Sequence, residues 1–476
     1  MLATSRNFEA NARAGLANVN LQHALGMMQS GFPARRRAAV ARLPEFEALR
    51  ETGRSIKDHT LAYLDFYLEL YEENVSAAGG TVHWARTPEE ARAAVLQICR
   101  SVGARTVTKG KSMIAEEIGL NEHLEANGIT PVETDLGEYI IQLRREPPSH
   151  LIAPAIHLVK EQVADTFRAE HRGRDPARPL AEPRELCDEA REILRARFLA
   201  ADVGITGANF LVAETGSSII VTNEGNGDLT QTLPRVHIVV ASLEKLVPTH
   251  EDAATLLRLL ARSATGQEFS SYTTISTGPR RADDLDGPDE YHVVLLDNGR
   301  SEMLGGEFHD MLRCIRCAAC INHCPVYAAI GGHAYGWVYP GPMGAVLTPS
   351  LIGIAEAGHL PNASTLCGHC ESVCPVKIPL PKMLRHWRER EYAAKLNPPV
   401  YRAGLSLWAW VAQRPALYHV LAEIASRVLG WAGSRRGRFR ALPLAAGWTG
   451  VCDMPAPEGR SFHSLWAARR KAEARK

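Results

Sequence analysis

The chain has 476 residues, 45% of them hydrophobic and 22% charged, with a formal net charge of +1. That length suggests roughly three domains at about 150 residues each, with ample apolar material for buried cores. The balanced charge gives no global reason to expect nucleic acid or a strongly charged partner, and no apolar run reads as an export signal or a membrane helix.

In chain order, residues 1–75 read as a helical segment. Within SIKDHTLAYLDFYLELYEENV (55–75), apolar residues at 61, 64, 68 and 71 recur at helical spacing, with Ser55 and Asp58 as N-cap and first-turn residues. From 76 to 300, strands alternate with helices. GTVHWA, ARTVTKGK, ITPVETD, ANFLVAETG, SIIVTNEG, RVHIVVAS and YHVVLLDNG read as strands. TPEEARAAVLQICRSVG, SMIAEEIGLNEHLEANG and HEDAATLLRLLARSATG read as helices, with Cys99 as buried filler on an apolar face. This order predicts an α/β domain with a largely parallel sheet. A hairpin turning at Thr215-Gly216 makes the sheet mixed.

Strand-ending turns of such sheets are where ligands usually sit. They carry Lys109 and Lys111 in TKGKS, Glu214, Thr215 and Ser217 in ETGSS, and Asn223 and Glu224 in TNEG. The GKS tripeptide lacks phosphate-loop spacing, and a Thr-Gly pair is often only a turn. A ligand site and plain turns are equal alternatives here.

Residues 301–392 are poor in strands. EFHDMLRCIRCAACINHC, MGAVLTPSLIGIAEAG and LPKMLRHWREREYAAKL read as helices, and the Gly- and aromatic-rich stretch 331–349 either covers a site, lines a passage or is loop packing. Residues 393–476 form a basic, Trp-rich region. From Arg385 onward there are 17 Lys/Arg against 6 Asp/Glu and six of the eight tryptophans. A solvated cationic face on helices packed against the preceding domain is the commoner reading of such a run; the alternative is a surface for an acidic partner or peripheral membrane association.

Seven of the ten cysteines lie between 314 and 374, which indicates metal chemistry in a reducing, cytoplasmic compartment and not a disulfide framework. Cys314, Cys317, Cys320 and Cys324, followed by Pro325, form the bacterial [4Fe–4S] run. Zinc sites take paired thiolates, and seven cysteines with two Cys-Pro endings do not divide that way. The second run, Cys367, Cys370 and Cys374 before Pro375, has Ser364 where the register asks for a fourth cysteine. In such pairs the last cysteine of each run ligates the other cluster. Cys314, Cys317, Cys320 and Cys374 therefore make one set, and Cys324, Cys367 and Cys370 the other. The first is a [4Fe–4S] cluster. The second is [4Fe–4S] or [3Fe–4S], with Ser364, an external ligand or a partner at the odd position. Serine also caps helices, and an N-cap of the helix bearing Cys367 and Cys370 is its commoner role.

IKDHTL, AETGS, TNEGN, MLRCIRCAACINHCPVY, GGHAYG, GPMGAVLTP and STLCGHCESVCPVKIPL together resemble the LutB/YkgF family, lactate utilisation protein B, along almost the whole chain. The resemblance implies an α/β mixed-sheet LUD domain of NagB/RpiA/CoA-transferase-like fold. An α-helical two-cluster ferredoxin domain and a helical C-terminal region would follow it. It also implies electron transport during oxidation of L-lactate to pyruvate, in a complex with a cysteine-rich LutA-like protein and a LutC-like LUD protein. The family shares the serine register. No G-x-G-x-x-G follows a strand, so the chain shows no nicotinamide or flavin fingerprint. The leading expectation is an electron-transfer subunit. The alternatives are a LUD domain itself catalytic on a hydroxy acid or acyl substrate with the clusters as outlet, and a scaffold with structural clusters.

Overall fold

The structure, a computed structural model, describes residues 3–110, 112–443 and 445–474, so Lys111 lies outside the described residues. The chain forms two compact units, 1–393 and 394–476. Among the described residues, ten strands belong to the first: β1 (Thr81–Ala85), β2 (Thr106–Lys109), β3 (Thr130–Glu133), β4 (Val203–Thr206), β5 (Phe210–Val212), β6 (Ser217–Thr222), β7 (Val236–Ser242), β8 (Leu246–Val247), β9 (Tyr272–Ser276) and β10 (Glu290–Leu296).

Six of them form a wholly parallel sheet in the order β1-β10-β7-β4-β2-β3. Every residue of β7 is buried, as expected for a parallel strand covered on both faces. The expected hairpin is present, with Val212 opposite Ser217 and the Gly216 N–H donating to the Val212 carbonyl at 3.0 Å. It belongs to a separate four-stranded sheet, β8-β5-β6-β9. The antiparallel pairing is confined to this smaller sheet, which is itself mixed, since β5 and β8 run parallel. Gly216 has φ +67, and a Cβ there would lie 2.4 Å from the Val75 backbone nitrogen, so the turn is seated directly on the helix Leu64–Ala77.

The N-terminal helical stripe is real, with Leu61, Leu64, Leu68 and Tyr71 all buried. It is carried by two helices, Phe46–Ala62 and Leu64–Ala77, which break at Tyr63 (φ −125, ψ 35). Ser55 and Asp58 accordingly lie inside the first helix and cap nothing. Asp58 instead pairs with Arg313, just before the first cysteine. The helix expected over 112–128 is also two, Met113–Glu117 and Leu120–Ala126, separated by Gly119 at φ 64.

In the cysteine region the helix Leu380–Ala393 follows the expected pattern, whereas the helix expected over 343–358 is two, Gly341–Ile352 and Ile354–Ala357, broken at Gly353 with φ 93. One apolar core joins residues of the N-terminal helices, the smaller sheet and the cysteine region, from Leu25 and Phe46 through Phe210 and Ile219 to Tyr339 and Trp387. The second unit holds the helices Pro399–Ala412, Pro415–Gly433 and Phe462–Glu473. Its tryptophans are exposed, Trp408 at 62% and Trp431 at 81%. Among the described residues no helix is long and apolar enough to cross a membrane.

His237 lies in the centre of the parallel sheet, its Nε2 2.8 Å from Thr206 Oγ1 and its ring edge-on to Tyr291. Burial lowers its pKa to about 3. The unfolded chain then binds a proton that the native fold refuses, so this group's stability contribution is complete above about pH 6.5 and declines as pH falls towards 3. Substituting His237→Asn should flatten the fall in urea midpoint between pH 7 and 5. The difference should approach about 1.4 kcal/mol per pH unit.

Candidate iron–sulfur centres

The stretch expected to be one helix around the first cysteines is not one. A short 3-10 turn, His309–Arg313, gives way to an extended Cys314, and Arg316 and Ala318 take left-handed φ values of 59 and 57 before the short helix Ala319–Asn322. A regular helix would place residues three apart a full turn from one another along its surface. The reversals here wrap the chain instead. Cys314, Cys317 and Cys320 all line one cavity, and Cys374 enters it from the second run. Cys324 lies near Cys367 and Cys370, and Cys370 in turn lies near Cys320.

The chemistry of these donors fits an iron–sulfur group. Burial and the neighbouring sulfurs push the Cys317 and Cys320 thiols up, while burial raises Cys370 to about 12 and Cys374 to about 11. Thiols gathered in this way ionise only with cationic compensation, which bound iron supplies. Backbone donors are already aimed at them, as with the Ile378 N–H, 3.4 Å from Cys374 Sγ. The Tyr335 hydroxyl is buried beside Cys324 and has no conventional hydrogen-bond partner among the described residues, as expected for a donor to a ligating sulfur. Tyr335 belongs to the aromatic stretch 331–349, whose Tyr335, Trp337 and Tyr339 are all buried. Through Tyr335 this stretch reaches Cys324, and through Met343 it lines the cavity of Cys314, Cys317, Cys320 and Cys374.

Arginines of the N-terminal helices hold the second run from behind. Arg36 Nη2 donates to the Val373 carbonyl at 3.0 Å, and Arg50 donates to the Cys374 carbonyl at 3.0 and 2.6 Å. Cys367 stands apart from the other six. It is exposed, and the His369 N–H and Thr365 hydroxyl lower its pKa.

Ser364 is not a helix cap. The helix bearing Cys370 is His369–Ser372, its N-cap is Gly368 at φ 81, and Cys367 precedes it. Ser364 Oγ accepts the Leu366 N–H at 3.1 Å in a serine turn that holds Leu366 at φ 53. Its carbonyl accepts from Arg388 at 2.7 Å.

The polar groups expected at the α/β turns separate into three places. Lys109 is buried and pairs with Glu116 at 2.6 Å and Glu133 at 2.7 Å, so it braces the sheet edge. Glu214, Thr215 and Ser217 form a local knot, in which Glu214 accepts the His250 N–H and Thr215 Oγ1 lies 2.7 Å from Ser217 Oγ and 3.0 Å from His250 Nε2. Asn223 and Glu224 line a cavity of about 220 Å³. Ser112, Asp135, Gly207 and Val240 place that cavity at the carboxyl ends of β2, β3, β4 and β7.

Sequence reasoning did not single out the buried ion network between sheet and cysteine loop. Arg300, just after β10, pairs with Glu117 at 2.7 Å and with Glu244 at 2.9 Å. Glu244 pairs in turn with Arg316 at 2.9 Å, and the Tyr339 hydroxyl donates to Glu117 at 2.6 Å. Burial raises both carboxyls, but Arg300 with Tyr339 and Asn298 holds Glu117 below the usual carboxylate range, and Arg300, Arg316 and Lys245 hold Glu244 there, at about 2. Arg316 was legible as a charged residue inside the cysteine motif; Glu117, Glu244 and Arg300 carry no comparable spacing signal. Glu117→Gln removes one charge and leaves the shape. It should cost roughly 3–5 kcal/mol, the scale for breaking a buried pair, read as a lower thermal midpoint of the loaded protein.

Three family models match the chain. The LUD domain covers residues 68–296, the 4Fe-4S dicluster domain 310–378, and Lactate utilisation protein B, C-terminal, 379–471. Lactate utilization protein B of Oceanobacillus iheyensis is 45% identical over 464 residues, 96% of this chain and 95% of the relative. That of Macrococcus caseolyticus is 43% identical and covers 99% of each chain, and that of Shouchella clausii is 44% identical and covers 98% of each. A solved DUF162 family protein from Deinococcus radiodurans covers 49% of this chain and 98% of its own at 13% identity. Its TM-score of 0.27 is too low to bear on the fold.

Proposed function

Because the chain belongs to the lactate utilization protein B family, we propose that it is the iron–sulfur electron-transfer subunit of a complex that oxidises L-lactate to pyruvate. The observation that supports this reading is that Cys374 lines the same cavity as Cys314, Cys317 and Cys320, while Cys324 lies near Cys367 and Cys370. Cys314, Cys317, Cys320 and Cys374 would hold a [4Fe–4S] cluster, and Cys324, Cys367 and Cys370 three irons of a second, [4Fe–4S] or [3Fe–4S]. When bound, such clusters supply one-electron transfer.

The protein's own residues set the two sites apart. Cys317, Cys320 and Cys374 are buried, whereas Cys367 is exposed. That contrast favours the first site as the interior relay and the second as the exchange point with partners. Those partners would be a cysteine-rich LutA-like protein and a LutC-like LUD protein, in the cytoplasm. We assign residues 1–75 to an N-terminal helical segment, 76–300 to the LUD domain, 301–392 to the ferredoxin domain and 393–476 to a basic, Trp-rich C-terminal region.

A second reading rests on the cavity at the carboxyl edge of the sheet, and makes the LUD domain catalytic on a hydroxy acid or acyl substrate. Two measurements separate these possibilities. The anaerobically purified chain alone should not reduce an artificial acceptor with L-lactate; turnover would select the second reading. Cys324→Ser should remove the second cluster's EPR signal and about half of the iron while the first signal persists. Loss of the first signal would overturn the crossed assignment.

A further inference from the structure

The cavity at the carboxyl ends of β2, β3, β4 and β7 has two chemically distinct ends. At one, Asp135 and Glu224 are bound to backbone N–H groups of the helix Leu136–Arg144. Asp135 accepts from Gly137 at 3.0 Å and Glu138 at 3.2 Å, and Glu224 from Leu136 at 3.2 Å. At the other stand two cations, Lys245 after β7 and Arg316 from the cysteine loop. Two strands separate β3 from β7, so the ends are roughly 14 Å apart at about 4.8 Å per strand.

Arg316 is the unusual member. Its side chain is only 7% exposed, and it lines both this cavity and the one shared by Cys314, Cys317, Cys320 and Cys374. Its Nη2 pairs with Glu244 at 2.9 Å and its guanidinium lies over the Tyr339 ring. Its Nε and Nη1 are buried without a hydrogen-bond partner among the described residues. Unmet charged donors at this depth are costly, and an anion at this end of the cavity would meet them. At about 220 Å³ the cavity is smaller than the ~300–1,000 Å³ of drug-sized sites, so it admits a small acid and not a dinucleotide.

We propose that this cavity binds a small organic carboxylate at its Arg316–Lys245 end, so that the bound anion is coupled to the cluster site formed by Cys314, Cys317, Cys320 and Cys374. The inference does not depend on whether the chain is an electron carrier or a catalyst. The coupling has a definite sign. An anion beside Arg316 disfavours a further electron on the adjacent cluster, and by reciprocity reduction weakens anion binding. A tenfold weaker affinity for the reduced protein corresponds to a potential lower by about 59 mV for one electron.

The test uses the full-length, cluster-loaded protein under anaerobic conditions, titrated calorimetrically with pyruvate, L-lactate and inorganic phosphate. At least one carboxylate should bind saturably, and its binding should lower the midpoint potential of one cluster. Lys245→Met should weaken that binding at least tenfold. Ala264→Leu fills the cavity from its helical wall while leaving both cations in place, and should abolish binding. Both variants should retain the parent's iron content and visible spectrum, and if either does not, the unmodified protein's binding and potential shift decide the matter. Saturable binding of phosphate alone would overturn the proposal. So would no carboxylate binding at about 10 mM, binding unchanged in both correctly loaded variants, or binding that leaves both potentials unmoved.

Discussion

The buried charge network of Glu117, Glu244, Arg300 and Arg316 is the constraint on which the arrangement of the first unit depends. Each member comes from a different part of the chain: a short helix after β2, the turn after β7, the turn after β10, and the loop between two cysteines. Removing such charges from water is expensive, and the expense is offset only when every partner is in place. The sheet and the cysteine loop are thereby held in one register, because an error in either would leave an uncompensated charge inside the protein. Lys57 extends the same logic to the N-terminal helices, donating to the Leu246 carbonyl at 3.2 Å from a fully buried position.

Much of the α/β fold was legible because its strands are apolar runs bounded by turn residues. β7 and β10 are the clearest cases, and both lie in the interior of the parallel sheet. The division into two sheets was not legible. Pairing between β6 and β9 joins residues separated by about fifty positions, and nothing local in SIIVTNEG distinguishes an edge of one sheet from the middle of another. The breaks at Tyr63 and Gly119 were missed for a related reason. Hydrophobic periodicity continues across a kink, so a stripe of buried residues reads as one helix even when the backbone interrupts it.

At the cysteines the spacing was strongly informative and the backbone was not. Cys314, Cys317 and Cys320 sit at three-residue intervals that suit a helix as well as a wrapped loop, and only the positive φ values of Arg316 and Ala318 separate the two. Ser364 illustrates the opposite limit. Its residue type suits a helix cap, but Gly368 takes that role because a left-handed entry favours a residue without Cβ. Among the turn residues of the sheet, Asn223 and Glu224 line the cavity whereas Lys109 is consumed by two carboxylates. Lysine in a glycine-bounded turn looks the same in sequence in both situations.

The arginines that grip the second cysteine run from the N-terminal helices carry a consequence for biosynthesis. Arg50 reaches a carbonyl 324 residues further along the chain, and Arg36 one 337 residues further. At about 5–20 residues per second, those partners leave the ribosome roughly 15–65 s after the arginines do. The first helices to be made are thus among the last to be fastened. These contacts therefore wait for the second cysteine run, so the arginines fasten a site that only the nearly complete span from Arg36 to Cys374 can supply.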